Sequence, residues 1–291
     1  MPSVNIQWFP GHMAKTRRLI GESLKLVDAV IELLDARVPL SSRNPEIIKL
    51  LEGKPTITLL NKAGLADPDV SKKWLDYFKS RGETVPILVD CTTGEGLSQI
   101  APALNELLAD KISRWKERGM TGRHVKAMIV GVPNVGKSTL INRLSAEKKA
   151  KAENRPGVTR TGQWVVTKSG FNLYDTPGVL WPKFDDQIIG QNLAFTGAIK
   201  EEILDIEELA SALTGRLRQL YPEKLSERYK LGDMSRYDDL TDYELLTEIG
   251  RKRGFLISGG EVNTERASST LLDEFRAAKI GRITLEMPPV D

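Results

Sequence analysis

The chain has few of the side chains that disulfide cross-links and transition-metal sites require. Its 291 residues include one cysteine, Cys91, and two histidines. A single cysteine excludes an intramolecular disulfide framework and a metal site built from several thiolates. It also suits a reducing compartment, where disulfides are rare.

Long apolar stretches are also missing. No segment approaches the roughly 18–20 consecutive apolar residues that a membrane-spanning helix needs, and the first residues lack the apolar core of a secretory signal. We therefore expect no membrane partner and a cytoplasmic location, with an organelle matrix as the alternative. The net charge of +3 permits an RNA partner without requiring one.

The composition is that of an ordinary soluble globular protein, with 40% hydrophobic and 28% charged residues. At about 100–200 residues per domain, the length predicts one large domain and one smaller domain. We expect a monomer.

A glycine-rich loop between an apolar run and a helical pattern is the most informative stretch. The apolar run 127–130 leads into Gly131-Val-Pro-Asn-Val-Gly136-Lys137-Ser138, and apolar residues at helical spacing follow. This Gly-x-x-x-x-Gly-Lys-Ser pattern predicts a phosphate-binding loop, because glycines let successive backbone N–H groups point at phosphate oxygens. The positive end of the following helix adds to the attraction. The chain is therefore predicted to bind a nucleoside triphosphate.

The same loop suggests roles for individual side chains. Lys137 is expected to reach the β- and γ-phosphates as a catalytic group, and the Ser138 hydroxyl is expected to bind Mg²⁺. Further phosphate contacts are predicted from the loop and the first helical turn: Asn134, Val135, Gly136 and Thr139.

Asp175-Thr-Pro-Gly178 follows a second apolar run and belongs with a phosphate-binding loop. Asp175 would hold Mg²⁺ through water, and the Gly178 N–H would contact the γ-phosphate. Thr159 is the expected second hydroxyl ligand of Mg²⁺, with Thr161 as the alternative. Taken alone, the tetrapeptide is also typical of a plain turn.

Asn61-Lys62-x-Gly64 resembles the guanine-reading Asn-Lys-x-Asp motif of GTPases, but a glycine stands where the motif has its carboxylate. A lost bidentate contact could cost about 1–3 kcal/mol of base discrimination. An ATPase therefore stays open as an alternative. The next loop, Asp90-Cys91-Thr92, is predicted to support the base through a backbone amide.

The order of elements predicts the fold. Strands are predicted at 29–35, 55–60, 85–89, 164–166 and 171–174, with a strand-like run at 282–286. Helices are predicted at 46–51, 70–80, 97–115, 188–198, 206–220, 242–253 and 268–278. Alternating helices and buried strands indicate an α/β, mainly parallel sheet of the P-loop NTPase type.

The base-reading motifs precede the phosphate loop, which is the reverse of the usual GTPase order and indicates a circular permutation. We predict a circularly permuted GTPase domain at 1–185, including an N-terminal segment 1–27. A small all-α C-terminal domain is predicted at 186–291.

This permuted order, the opening Trp8-Phe9-Pro10-Gly11-His12-Met13, the strand end Asp35-Ala36-Arg37-x-Pro39 and the helical tail resemble the ribosome biogenesis GTPase A family. The resemblance covers essentially the whole chain. It implies binding of GTP and GDP with Mg²⁺, and GTP hydrolysis stimulated by the ribosome. It also implies a role in late assembly of the large ribosomal subunit, with a C-terminal domain that contacts rRNA and with ribosomal proteins as further partners. Gly64 departs from the GTPase pattern.

The residue that orients the attacking water cannot be the usual one. Ras-like GTPases place a glutamine directly after Asp-x-x-Gly, whereas this chain has Val179 and then Leu180. His12 is the leading candidate, as the resemblance also suggests, because a neutral imidazole can accept a hydrogen bond from water. The alternative is a surface or turn histidine.

Asn134 matches the asparagine that helps to coordinate K⁺ in potassium-stimulated GTPases. A monovalent cation beside the phosphates would do the electrostatic work of an arginine finger. The alternative for Asn134 is a local hydrogen bond within the turn.

Clusters of basic residues are candidates for contacts with rRNA phosphates: Lys15, Arg17, Arg18, Arg114, Lys116, Arg118, Arg123, Lys126, Lys148, Lys149 and Lys151. Two functions besides a ribosome-stimulated GTPase stay open. One is a nucleotide-gated RNA-binding scaffold with negligible turnover, and the other is an RNA-modification or translation-associated GTPase.

Overall fold

The computed structural model describes residues 13–82, 84–120, 122–146, 163–181, 186–200 and 204–289. Several predicted site residues lie outside these ranges: His12, Thr159 with its alternative Thr161, and the basic residues Lys148, Lys149 and Lys151. The side chain of Lys15 also lies outside the description.

The described residues form a six-stranded sheet in the order β3-β2-β1-β4-β6-β5. The strands are β1 Ala29–Asp35, β2 Thr56–Asn61, β3 Val85–Leu88, β4 Lys126–Val130, β5 Gln163–Val166 and β6 Asn172–Asp175. All neighbouring pairs are parallel except β5 with β6, which forms an antiparallel edge. Every residue of β1 and β2 is buried, as expected for strands covered on both faces. The predicted α/β, mainly parallel fold is confirmed.

Most strands are separated along the chain by helices, and the described residues after β6 form helices and no further strand. The helices are α1 Met13–Leu24, α2 Pro45–Leu51, α3 Pro68–Arg81, α4 Ile100–Leu107, α5 Ala109–Glu117, α6 Lys137–Leu144, α7 Gln187–Phe195, α8 Ile206–Leu220, α9 Pro222–Tyr229, α10 Asp242–Lys252 and α11 Thr264–Arg276. Within the described part of the chain, no helix has both the length and the apolar character needed to cross a bilayer.

Local capping explains where several helices begin. The Asp67 carboxylate accepts hydrogen bonds from the backbone N–H groups of Asp69 and Val70 and so caps α3, which has a proline in its first turn. Thr241 and Glu244 form a reciprocal capping box at the start of α10. These signals lie within a few residues of each other, so the starts of α3 and α10 are encoded locally in the sequence.

Two predicted elements need correction, and one helix is additional to those predicted. The predicted helix 97–115 is a short 3-10 turn followed by α4 and α5, because the backbone at the buried Leu108 leaves helical geometry (φ −109°, ψ 16°). Helix α9 was not predicted, although it begins with a proline in its first turn. The run 282–286 is not a strand.

The C-terminal segment is extended but makes single hydrogen bonds to separate parts of the chain. The Ile283 N–H donates to the Leu65 carbonyl (3.0 Å), and the Leu285 N–H donates to the Arg37 carbonyl (2.8 Å). A regular ladder needs successive bonds to one neighbouring strand, so the segment does not extend the sheet. It connects the end of the chain to the loops that follow β1 and β2.

Glu286 fastens this segment. Its half-buried carboxylate accepts hydrogen bonds from the backbone N–H groups of Leu40 (2.8 Å) and Ser41 (3.0 Å), from the Ser41 hydroxyl, and from Asn192 Nδ2 on α7 (3.0 Å). The Trp74 indole N–H donates to the Glu286 carbonyl (3.0 Å). One buried apolar cluster includes both sheet residues such as Ile129 and helix residues such as Leu213. The division into domains at 1–185 and 186–291 stays a prediction.

Candidate functional site

The glycine-rich loop runs from the end of β4 to the first residue of α6, as the sequence predicts. Gly136 caps α6 with φ 109°, in the left-handed region that favours glycine. A Cβ at this position would lie 2.3 Å from Asn61 Nδ2, so a side chain there would also collide with the neighbouring loop. The backbone angle and the close packing both require glycine.

Lys137 lies across the inside of this loop. Its Nζ donates hydrogen bonds to the carbonyls of Gly131 (2.9 Å) and Val132 (2.8 Å). A Cβ on Gly178 would lie 2.8 Å from the same Nζ, so the Asp175–Gly178 segment passes directly beside the lysine. Burial lowers the pKa of Lys137 to about 8, although the carboxylate of Asp175 raises it. An anionic phosphate in the loop would favour the charged form further.

The Asp175–Gly178 segment is held along the phosphate loop by the sheet and by hydrogen bonds. Asp175 ends β6 and lies opposite Ile129 of β4 in the parallel register. The Thr176 hydroxyl donates to the Ile129 carbonyl (2.5 Å), and the Val179 N–H donates to the Gly131 carbonyl (3.3 Å). The structure thus brings the two predicted phosphate-contacting segments together.

Oxygen donors suitable for Mg²⁺ lie on both segments. Ser138 is exposed in the first turn of α6, and the Asp175 carboxylate is close enough to influence the Lys137 ammonium. Mg²⁺ is commonly held by one or two such side chains together with substrate phosphates, so these residues fit the ion. The described residues contain no cluster of three or more histidine, cysteine, aspartate or glutamate side chains that could hold a metal.

Asn61 joins the base-reading loops to the phosphate loop. Its Nδ2 donates to the Val135 carbonyl (2.7 Å), and its Oδ1 accepts from the Cys91 N–H (2.9 Å). Asn61 is only 2% exposed, so loss of either bond would leave a buried polar group without its partner. The Cys91 side chain belongs to the core, where burial raises the pKa of its thiol to about 12.

Lys62 follows Asn61 with φ 64°, and its ammonium group contacts the carboxylate of Asp35. Asp35 is not among the site residues predicted from the sequence. Lys62 Nζ lies 2.9 Å from Asp35 Oδ2, and the Arg37 guanidinium binds both oxygens of the same carboxylate (2.9 and 2.8 Å). Burial would raise the pKa of Asp35, but the cations of Arg37 and Lys62 outweigh it and hold that pKa well below its usual range. The signal in the sequence that could identify Asp35 as a site residue is its position. It is the last residue of β1 and lies opposite Asn61, the last residue of β2.

Asp90 organises the loop after β3. Its Oδ1 accepts from the N–H groups of Thr92 (2.8 Å) and Thr93 (3.0 Å), and its Oδ2 accepts from the Gly64 N–H (3.2 Å). The predicted base-contacting residues Asn61, Lys62, Asp90, Cys91 and Thr92 are therefore gathered at one edge of the sheet. Their contacts with a base stay a prediction.

Asn134 makes a contact that the sequence did not indicate. It has φ 56°, and its Nδ2 donates to the carbonyl of Gly197, after α7 (2.7 Å). The expected alternative was a hydrogen bond within the turn, whereas this bond joins positions 63 residues apart. It ties the phosphate loop to the segment after α7.

Val179 and Leu180 are buried, at 8% and 3% exposure. Val179 belongs to an apolar cluster with Ile20 and Leu24 of α1. Helix α1 begins immediately after position 12, so its attachment beside Val179 anchors the chain that follows His12. His12 itself is outside the described residues.

The comparisons with known proteins agree with this arrangement. A family model described as 50S ribosome-binding GTPase matches residues 126–221. Ribosome biogenesis GTPase A from Bacillus licheniformis is 47% identical over 284 residues, which cover 97% of this chain and 98% of that protein. Its counterpart from Bacillus cereus is 46% identical over 283 residues, covering 97% of this chain and 94% of that protein. The GNP-bound crystal structure of YlqF from T. maritima is 27% identical with a TM-score of 0.63, covering 95% of this chain and 100% of that chain.

The Asp35 network yields a prediction about stability and pH. Asp35→Asn removes the negative charge between two cations, so the free energy of unfolding at pH 7 should fall by about 3 kcal/mol or more. Because the folded-state pKa of Asp35 is lowered, its contribution is complete above the unfolded pKa of about 3.9 and is lost as the pH falls further. Urea unfolding at pH 7, 5, 4 and 3 should therefore show the difference from wild type narrowing only at the acidic end.

Asp239→Asn, at an exposed position, is the matched control and should leave unfolding within about 0.5 kcal/mol of wild type. A constant difference between Asp35→Asn and wild type across this pH range would contradict the assignment.

Proposed function

Because the chain belongs to the ribosome biogenesis GTPase A family, we propose that it binds and hydrolyses GTP as a factor in late maturation of the large ribosomal subunit, with hydrolysis stimulated by the ribosome. The observation that carries the nucleotide site is the Asn61 bridge between Val135 and Cys91. It fixes a phosphate-binding loop beside a base-reading loop, so one nucleotide could contact both.

In this proposal the phosphates contact the loop and first turn of α6: Asn134, Val135, Gly136, Lys137, Ser138 and Thr139. The base contacts Asn61, Lys62, Asp90, Cys91 and Thr92, and the Gly178 N–H contacts the γ-phosphate. Mg²⁺ would be held by Ser138, Asp175 and Thr159. When bound, it would neutralise charge on the phosphates and orient them.

The proposal includes a ribosomal partner. The printed names of the family model and of the relatives refer to 50S ribosome binding and to ribosome biogenesis. Arg114, Lys116 and Arg118 are exposed on and just after α5, where they could meet rRNA phosphates. Arg123 instead packs over the Trp115 ring at 4.3 Å. Salt-dependent binding to isolated large subunits, weakened by alanine at the three exposed positions, is the relevant measurement.

A nucleotide-gated scaffold with negligible turnover is the second candidate. It is favoured by one observation, that the position after Gly178 carries the buried, apolar Val179. Phosphate release on addition of large subunits separates the two functions, because the scaffold would release none above background. An RNA-modification or translation-associated role has no comparable support from the described residues.

The first test of the proposed function concerns the choice of nucleotide. In calorimetry with Mg²⁺, GTP and GDP should bind and ATP should bind at least about tenfold more weakly, because the site reads a guanine edge. Lys137→Ala, which removes the cation from the loop, is the matched negative control. Equal affinity for GTP and ATP would contradict the base assignment, and no binding of either would overturn the nucleotide site.

The second prediction concerns His12. His12→Ala should lower ribosome-stimulated GTP turnover by about 100-fold or more while GTP affinity stays unchanged, because a group that orients the attacking water acts on the reaction and not on binding. The chain offers a matched control in its other histidine. His124 is exposed and its Nδ1 lies 2.7 Å from the Gly170 carbonyl, so His124→Ala should keep wild-type turnover. Equal stimulated rates for His12→Ala and wild type would refute the role.

The third prediction concerns a monovalent cation. Asn134 Nδ2 donates a hydrogen bond to the Gly197 carbonyl. The Oδ1 atom of Asn134 is therefore the one that could bind K⁺ beside the phosphates. Turnover should be roughly tenfold or more faster in K⁺ than in Na⁺, and Asn134→Ala should abolish that ratio. The ratio is the readout because a general disturbance of the loop would lower both rates equally. A ratio near one in wild type would remove K⁺ from the proposal.

A further inference from the structure

The base-reading motif has no carboxylate at position 64, but the carboxylate of Asp90 lies beside that position. Position 64, where the GTPase motif has aspartate, is an exposed glycine without a side chain. A Cβ built on Gly64 would lie 2.9 Å from Asp90 Oδ2, and the Gly64 N–H donates to that same oxygen at 3.2 Å. Asp90 Oδ2 thus occupies space that an aspartate side chain at position 64 would itself fill.

The topology accounts for this juxtaposition. Strands β2 and β3 are parallel neighbours, with Leu60 opposite Leu88. Beyond their ends the two segments stay together, since the Val89 N–H donates to the Leu60 carbonyl (2.9 Å) and the Ala63 N–H donates to the Val89 carbonyl (3.1 Å). Residues that directly follow these two strands must therefore lie side by side.

The hydrogen bonds of Asp90 leave room for one more donor. A carboxylate offers about four lone-pair sites. Among the described residues, Oδ1 accepts from the N–H groups of Thr92 and Thr93, and Oδ2 accepts from that of Gly64. By this count one lone pair of Oδ2 receives no hydrogen bond from the described residues, and Oδ2 lies beside the space that a Gly64 side chain would fill. The three backbone donors also fix the carboxylate, which is 6% exposed.

The chemistry of the purines makes such an oxygen selective. The Watson–Crick edge of guanine presents two donors, N1–H and the 2-amino group, whereas adenine presents an acceptor at N1. A carboxylate oxygen accepts from guanine and repels the adenine nitrogen. A neutral glycine at position 64 supplies neither effect.

From this geometry we propose that Asp90 reads the guanine base in this protein, in place of the carboxylate that position 64 lacks. The inference rests on the proposed GTP site. It assigns to the Asp90 side chain a specificity role beyond organising its own loop.

The main test replaces a hydrogen-bond acceptor of the Asp90 side chain with a hydrogen-bond donor. Asp90→Asn keeps an oxygen for the Thr92 and Thr93 amides, removes the acceptor of the Gly64 N–H and presents an NH₂ group where Oδ2 was. That group complements the C2 carbonyl of xanthine and conflicts with the 2-amino group of guanine. GTP affinity should fall at least about tenfold and XTP affinity should rise at least about tenfold. A gain of XTP binding cannot result from misfolding.

A second variant tests the same idea without touching Asp90. If the carboxylate position were empty, Gly64→Asp would restore the motif and tighten GTP binding. If Asp90 fills it, the new side chain brings a second carboxylate against the first, and like charges repel, so GTP binding should weaken at least about fivefold relative to Gly64→Asn. Gly64 is exposed and its φ is not positive, so its backbone accepts a side chain. In both variants the new Cβ would lie 2.9 Å from Asp90 Oδ2 and would displace that carboxylate slightly, so Gly64→Asn controls for this shift and differs from Gly64→Asp in charge. Combining Gly64→Asp with Asp90→Asn should restore the preference for GTP over XTP.

The outcomes separate this inference from the proposed function. Asp69→Asn, with its side chain 82% exposed on α3, is the matched control and should bind GTP as wild type does. If wild type binds neither GTP nor GDP, the nucleotide site itself is wrong. If wild type binds GTP but Asp90→Asn loses GTP and XTP together, or keeps GTP unchanged, Asp90 does not read the base. Tighter GTP binding by Gly64→Asp would also overturn the inference.

Discussion

The structure of the candidate site depends on one buried amide, the side chain of Asn61. Its two polar atoms connect the Val135 carbonyl of the phosphate loop to the Cys91 N–H of the loop after β3. A planar amide can serve an acceptor and a donor at once only if both lie at fixed positions. The three strand ends that meet here must therefore keep their register, and Gly136 must lack a side chain to let Asn61 approach.

A second set of buried contacts connects the site to the C-terminal part of the chain. Asp35 binds Lys62 of the base-reading motif and Arg37, and the Arg37 guanidinium lies over the Phe275 ring of α11 at 5.4 Å. The Arg37 carbonyl accepts from the Leu285 N–H. The helical part of the chain thus packs against the residues that hold Lys62, and Asn134 adds a link from the phosphate loop to Gly197.

The permuted order of the motifs does not change how the strands of the sheet pair. Strands β1, β4 and β6 lie side by side although β4 follows β1 by almost a hundred residues. A parallel sheet is defined by which edges pair and by the crossovers that cover its faces, not by where the chain begins. The motifs therefore meet at the carboxyl ends of the strands, where ligands bind in such sheets, whichever motif comes first.

The sequence by itself determined the parts that depend on short-range patterns. The glycine-rich loop, the strand ends at Asp35, Asn61 and Asp175, and helices such as α8 follow from residues within a few positions of each other. Their types and approximate limits could be read from spacing and capping. The prediction of one helix over 97–115 was wrong because the bend at the buried Leu108 has no local signal in the sequence. The prediction of a strand at 282–286 was wrong because the hydrogen-bond partners of this segment are distant in the sequence.

Only the tertiary structure decided which side chains share the site. The sequence shows that position 64 lacks a carboxylate, and the structure places the Asp90 carboxylate beside it. The sequence indicates a K⁺ ligand or a turn residue at Asn134, and the structure adds a hydrogen bond to the Gly197 carbonyl. Lys62 gained a buried counterion in Asp35 in the same way. These pairs join residues about 26 to 63 positions apart. Such pairs depend on which strands become parallel neighbours, across crossovers of a dozen or more residues, and on how the helices pack, so the spacing of residues within one segment does not show them.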